Sequence, residues 1–146
     1  MWKFLHLLVI TFFFASCGSN SSQKKTETAD NHQSNCVEIL YFHGAQRCIT
    51  CRAIESNTVA LLDSLYSKEL ADGKIIYKVI DISKSENEQL ANKYEVTWSS
   101  LFVNTWKDGK ETVNNLTEFS FSTAKNEPEK FKEGLKIKID TLLKQL

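Results

Sequence analysis

Proline occurs once in these 146 residues, at Pro128. Cis peptides are essentially confined to X–Pro bonds, so the rest of the backbone is expected to be trans. Charge of one sign is not in excess either. Eighteen Lys and Arg against eighteen Asp and Glu leave no basic stripe to track a phosphate backbone, which argues against a nucleic-acid binder. No apolar run reaches the ~20 residues that cross a bilayer. No second C-x-x-C and no H-x-x-x-H accompanies the cysteines, so the usual four-ligand structural zinc set is incomplete. No glycine-rich phosphate loop follows a strand pattern, which leaves no flavin site, and there are no internal repeats.

What is present suits one small domain with appendages, at 42% hydrophobic content. Residues 1–16 combine a short charged start at Lys3, an apolar run and small residues before Cys17, the order of an export signal. Phe14-Ala15-Ser16-Cys17-Gly18 resembles the bacterial lipobox, with Phe where that motif usually has Leu. The resemblance implies cleavage before Cys17 and lipidation of its sulfur, an anchor strengthened by ~0.8 kcal/mol per buried methylene. Gly18, where an aspartate would retain a lipoprotein in the inner membrane, implies the outer membrane of a cell envelope, facing the periplasm. Residues 17–35 carry no large apolar side chain and are expected to be a flexible lipidated tether, ~20–25 Å in mean reach.

The domain is expected over residues 36–146. Val37 to Phe42 is nearly all apolar, as a central strand is. Cys51, Ile54, Thr58, Leu61, Leu62 and Leu65 recur at helical spacing, predicting a helix over 48–68. Lys74 to Asp81 reads as a second strand, parallel to the first because a helix intervenes. A short helix follows over 85–94, capped by Ser85. Leu101 to Trp106 is a strand, turned at Asp108-Gly109 into an antiparallel partner over 111–116. Phe119-Ser120-Phe121 is expected in a loop. A closing helix starts near Pro128 and carries Phe131, Leu135, Ile139, Leu142 and Leu146 on one face.

The chemistry centres on Arg47-Cys48-Ile49-Thr50-Cys51-Arg52. A cysteine where a strand gives way to a helix meets unsatisfied backbone N–H groups and the positive end of the macrodipole, which favour thiolate. A second thiol less than one turn on can close a disulfide with little change in fold. Cys48 is the expected attacking thiolate and Cys51, on the inward stripe, the resolving thiol. Arg47 is a candidate for lowering the pKa of Cys48 and Thr50 for donating a hydrogen bond to its sulfur. Six strand residues at ~3.3 Å each put Cys36 about 20 Å from that end, so it is expected to be a free thiol at the start of the domain or half of an intermolecular disulfide.

The segment from Tyr41 to Cys51 resembles the thioredoxin superfamily, in which a strand feeds a C-x-x-C helix. Its bacterial members named for a nitrophenyl compound nitroreductase subunit are also similar here, although the chain has no feature of flavin chemistry. The resemblance implies an α/β thioredoxin-like fold, a four-stranded mixed sheet flanked by helices in the order strand, helix, strand, helix, strand, strand, helix. It implies a thiol-disulfide oxidoreductase with no cofactor beyond the Cys48–Cys51 redox disulfide. Its partners would be exported proteins with cysteines or an upstream electron donor, and it would act as a monomer.

Two positions depart from the family. Ser100 stands where thioredoxins have a cis-proline, and Leu40 and Tyr41 stand near their buried aspartate. Loss of that proline goes with metal-binding variants, so His43, Cys48 and Cys51 form an alternative copper or zinc ligand set. Trp98, in the loop facing the C-x-x-C, could supply a flat apolar contact for a partner peptide, which also leaves open a redox-inactive binding module.

Overall fold

The computed structural model describes residues 35–146. The signal segment, Cys17 and the tether expected up to residue 34 lie outside the described residues.

Strand β1 (Cys36–His43) is buried along its length down to Phe42. It pairs in parallel with β2 (Ile75–Asp81) and antiparallel with β3 (Ser100–Lys107), and β3 pairs antiparallel with β4 (Lys110–Thr112). The sheet order is β2-β1-β3-β4, with β1 inside it and covered on both faces. Side chains of a strand alternate between faces. Val37, Ile39 and Tyr41 accordingly join one core, while Leu40 and Phe42 join a second with Ile80, Tyr94, Val96 and Phe102. That double burial is why the run has no polar alternation.

Helix α1 (Ile49–Leu65) and the closing helix α5 (Pro128–Leu143) fill the first core with Ile54, Leu61, Leu62, Phe131, Leu135 and Ile139. The second core lies under α3 (Glu88–Lys93), which follows a 3-10 turn at Ser85–Asn87. Helices on both faces of a four-stranded mixed sheet, in this order, make a thioredoxin-like α/β fold. No helix of the described residues is long and apolar enough to cross a membrane.

Four local expectations need correction. The first helix ends at Leu65, and a separate short helix α2 spans Ser67–Ala71. Tyr66 breaks the run: it turns its ring into the core, while Leu65 is left 52% exposed. Ser85 starts the 3-10 turn without capping it. Asp81 organises that corner, accepting from Ser83 N (3.0 Å) and Ser83 Oγ (2.6 Å). Strand β4 stops at Thr112 because Asn114 N donates to the side-chain Oδ1 of buried Asn104 (3.0 Å) in place of a ladder carbonyl, and pairing resumes only as a single bridge between Phe102 and Asn115. Finally, Phe119-Ser120-Phe121 lies in a helix, α4 (Thr117–Thr123). Phe119 packs on Phe131 in the face where α5 carries Gly134, a position at which a Cβ would meet the Phe119 ring.

One charged residue sits inside the apolar strand. Glu38 is fully buried, with Lys78 Nζ 2.9 Å from Oε1 and Trp106 Nε1 donating to Oε2 at 2.9 Å. A buried carboxylate needs such partners, so Trp106 does more than fill β3.

At the far end of α1, Tyr66 Oη donates to Asp140 Oδ1 (2.7 Å) and Lys136 Nζ to Oδ2 (2.5 Å). The Lys136 ammonium holds the Asp140 carboxyl below its ordinary value, with the Tyr66 hydroxyl acting in the same sense against partial burial. A depressed folded-state pKa contributes stability that is present above the unfolded value, near ~3.9, and is lost as pH falls through the folded one. Asp140→Asn is therefore expected to have a lower urea midpoint than the parent at pH 7, with the gap closing towards pH ~2. A gap of constant size across that range would show that the ion-paired carboxylate adds nothing.

Candidate functional site

Beyond His43 the chain leaves the sheet through Gly44, Ala45 and Gln46, then enters α1 at Cys48. Cys48 is the N-cap residue, with extended backbone (φ −68°, ψ 166°), and its sulfur accepts from Cys51 N at 3.0 Å. A sulfur thus occupies the place an Asp or Ser oxygen takes at ordinary helix starts. Thr50 was the expected donor to this sulfur; the donor the structure provides is the backbone amide of Cys51. Cys48 is exposed, whereas Cys51 is only 6% exposed and packs beside Ile54. A disulfide joins them across a Cα separation of 5.0 Å. The asymmetry suits exchange chemistry, since an incoming sulfur can reach residue 48 and not residue 51.

Tyr41 supports this turn from below. Its buried hydroxyl donates to Cys51 O at 2.7 Å, with Arg47 and Ser99 close enough to influence its titration. Burial pushes the phenol above its ordinary value, and the Arg47 and Ser99 contacts only partly oppose this. The phenol therefore stays neutral and a donor at neutral pH. The guanidinium of Arg47 lies 5.6 Å from the Tyr41 ring centre and is ion-paired to Glu55, with which it shares its charge. Ser99, Glu55 and the Tyr41 hydroxyl are site residues that sequence reasoning missed.

Ser100 opens β3 opposite Phe42, buried, with Oγ donating to Trp98 O at 3.1 Å. All peptide bonds of the described residues are trans. Trp98 is 57% exposed and rests against Phe121, their ring centres 5.0 Å apart. His43 ends β1, where Nδ1 donates to Gly44 O at 2.9 Å. In this disulfide-bonded form the two sulfurs are bonded to each other and His43 is turned onto its own loop. No group of three metal-ligating side chains occurs among the described residues. Cys36 lies at the opposite end of β1, opposite Trp106 and fully buried, without the access that an intermolecular disulfide requires.

Neither a protein-family model nor a curated protein sequence matches the chain. Among solved structures, a thioredoxin from Thermus thermophilus is similar at 17% identity and a TM-score of 0.44, over 70% of this chain and 75% of that one. A malarial protein is similar at 19% identity and a TM-score of 0.42, over 68% of this chain and 96% of the other. The fold assignment rests on the strand order and register described above.

Proposed function

We propose that the protein is a thiol-disulfide oxidoreductase that reduces disulfides in exported proteins while tethered to the periplasmic side of a cell-envelope membrane, the outer membrane in a Gram-negative host. The observation that carries this reading is the exposed sulfur of Cys48 at a helix N-cap, joined to the buried sulfur of Cys51. In the reduced protein the Cys48 thiolate attacks one sulfur of a substrate disulfide. That S–S bond breaks, its electron pair leaves with the other substrate sulfur, and a mixed disulfide to Cys48 remains. The Cys51 thiolate then attacks Cys48 Sγ and releases the second substrate thiolate. Two electrons have passed to the substrate, whose thiolates take up two protons, and Cys48–Cys51 is oxidised. A protein dithiol upstream reverses that last state by the same exchange.

The tether and address come from the sequence alone: the export pattern before Cys17 and the polar stretch after it. Equilibration of the purified domain against glutathione redox buffers, read by alkylation and mass, tests the reading. A reversible two-electron couple confined to Cys48 and Cys51 is the expected result. Sulfurs that stay bonded under excess dithiothreitol, or that are protected by copper or zinc once reduced, would sink it. For the tether, Cys17→Ser is expected to move the protein from the membrane to the soluble fraction.

A further inference from the structure

The loop over residues 95–99 and the first turns of α4 enclose a groove of ≈ 710 Å³ beside the first residues of β3. Its apolar surface comes from Val96, Trp98, Phe102 and Phe121, and the only charged side chains lining it are Glu95 and Glu118. Both glutamates are exposed, and neither has an ion-pair partner among the described residues. An exposed tryptophan flanked by two uncompensated carboxylates is complementary to an apolar side chain with a cationic neighbour. Glu95 adds an independent sign. Its φ of 55° puts it in the left-handed region, where glycine or asparagine would sit with less strain. A carboxylate is thus kept on the rim at a conformational cost.

The groove also lies within reach of the disulfide. Ser100, which lines it, pairs with Phe42 across the sheet, and the neighbouring Tyr41 donates its hydroxyl to Cys51 O. One strand pairing and one hydrogen bond therefore connect the groove to the redox turn. Extended peptide rises ~3.3 Å per residue, so a chain engaged through its cysteine at Cys48 can lay a residue a few positions away in the groove.

We propose, resting on the thiol-disulfide reading, that this groove selects the substrate: a segment with an aliphatic or aromatic residue next to lysine or arginine, a few positions from its reactive cysteine. Acidic segments are disfavoured by the same two carboxylates.

The test uses reduced full-length protein and peptides whose single cysteine is capped with the yellow thionitrobenzoate group, so that exchange releases colour. The peptides carry Leu-Lys, Leu-Glu or Ser-Lys at the same distance from the cysteine. Dithiobis(nitrobenzoate) serves as a disulfide with no peptide. The Leu-Lys peptide is expected to react about fivefold faster than Leu-Glu at low salt, with the ratio falling towards one in ~0.5 M salt. Glu95→Asn with Glu118→Gln should erase that ratio, asparagine being suited to the left-handed backbone at 95. Trp98→Ala should erase the preference for Leu-Lys over Ser-Lys. If dithiobis(nitrobenzoate) is exchanged but the peptides react alike, or the double variant keeps the parent's ratio, the groove assignment is wrong. If dithiobis(nitrobenzoate) itself fails to react with the reduced protein, the redox reading falls and takes the groove with it.

Discussion

Replacement of Cys48 by serine is expected to lower the rate of disulfide exchange by about a thousandfold or more, because it removes the nucleophile and leaves no other accessible thiol in the described domain to replace it. Cys51→Ser should behave differently. Its Cys48 remains exposed at the helix N-cap, so the first attack proceeds, but no resolving thiolate follows. The variant is expected to accumulate as a mixed disulfide, visible as a mass increase equal to the bound substrate and reversed by dithiothreitol. The burial difference also orders the two thiols: in the reduced parent, iodoacetamide should modify Cys48 well before Cys51, which is 6% exposed. Equal labelling, or a Cys51→Ser protein that never traps substrate, would contradict the assigned roles. Double replacement should match Cys48→Ser alone, because the two residues act in one sequence.

Much of this arrangement was legible because it depends on period. An unbroken apolar run implies a strand covered twice, and Cys51, Ile54, Thr58, Leu61 and Leu62 imply a helix whose inner face begins at the second cysteine; all five are buried. The exposed and buried thiols follow from that phase. What escaped depends on contacts between residues far apart in sequence, or on side chains that compete with the backbone. Helix α4 is seven residues long and contains Ser120, Ser122 and Thr123, which are poor helix formers, and Phe-Ser-Phe imitates the alternation of a strand. A signal was present in Asn115, whose Oδ1 accepts from Thr117 N at 2.9 Å at the start of the helix. Asn104 curtails β4 in the same way, by offering a side-chain carbonyl to a neighbouring amide. The Arg47–Glu55 pair could not be read from helical spacing, because Arg47 precedes the helix and spans a separation of eight residues.

Tyr41 shows the limit of analogy and carries the largest expected effect on stability. By resemblance, its neighbourhood marked only where a familiar aspartate was missing. In the structure it is fully buried in the core beneath α1, and its hydroxyl donates to Cys51 O in the redox turn. Tyr41→Ala deletes the ring and leaves a cavity under the redox turn, at an expected cost of about 3–5 kcal/mol. That is a large fraction of the stability of a small domain and corresponds to a fall of about 2 M in the urea midpoint. Tyr41→Phe keeps the ring and removes only the hydroxyl. Cys51 O loses that donor, and the expected cost is about 1–2 kcal/mol. The comparison separates packing from hydrogen bonding: the alanine variant should lose at least twice as much stability as the phenylalanine variant, measured by urea unfolding of the oxidised protein. It should also expose Cys51, so that after reduction its alkylation approaches the rate of Cys48, while in Tyr41→Phe the difference between the two thiols persists. Similar losses in both variants would mean that the hydroxyl's hydrogen bond to Cys51 O, and not the ring, holds the C-x-x-C turn in place.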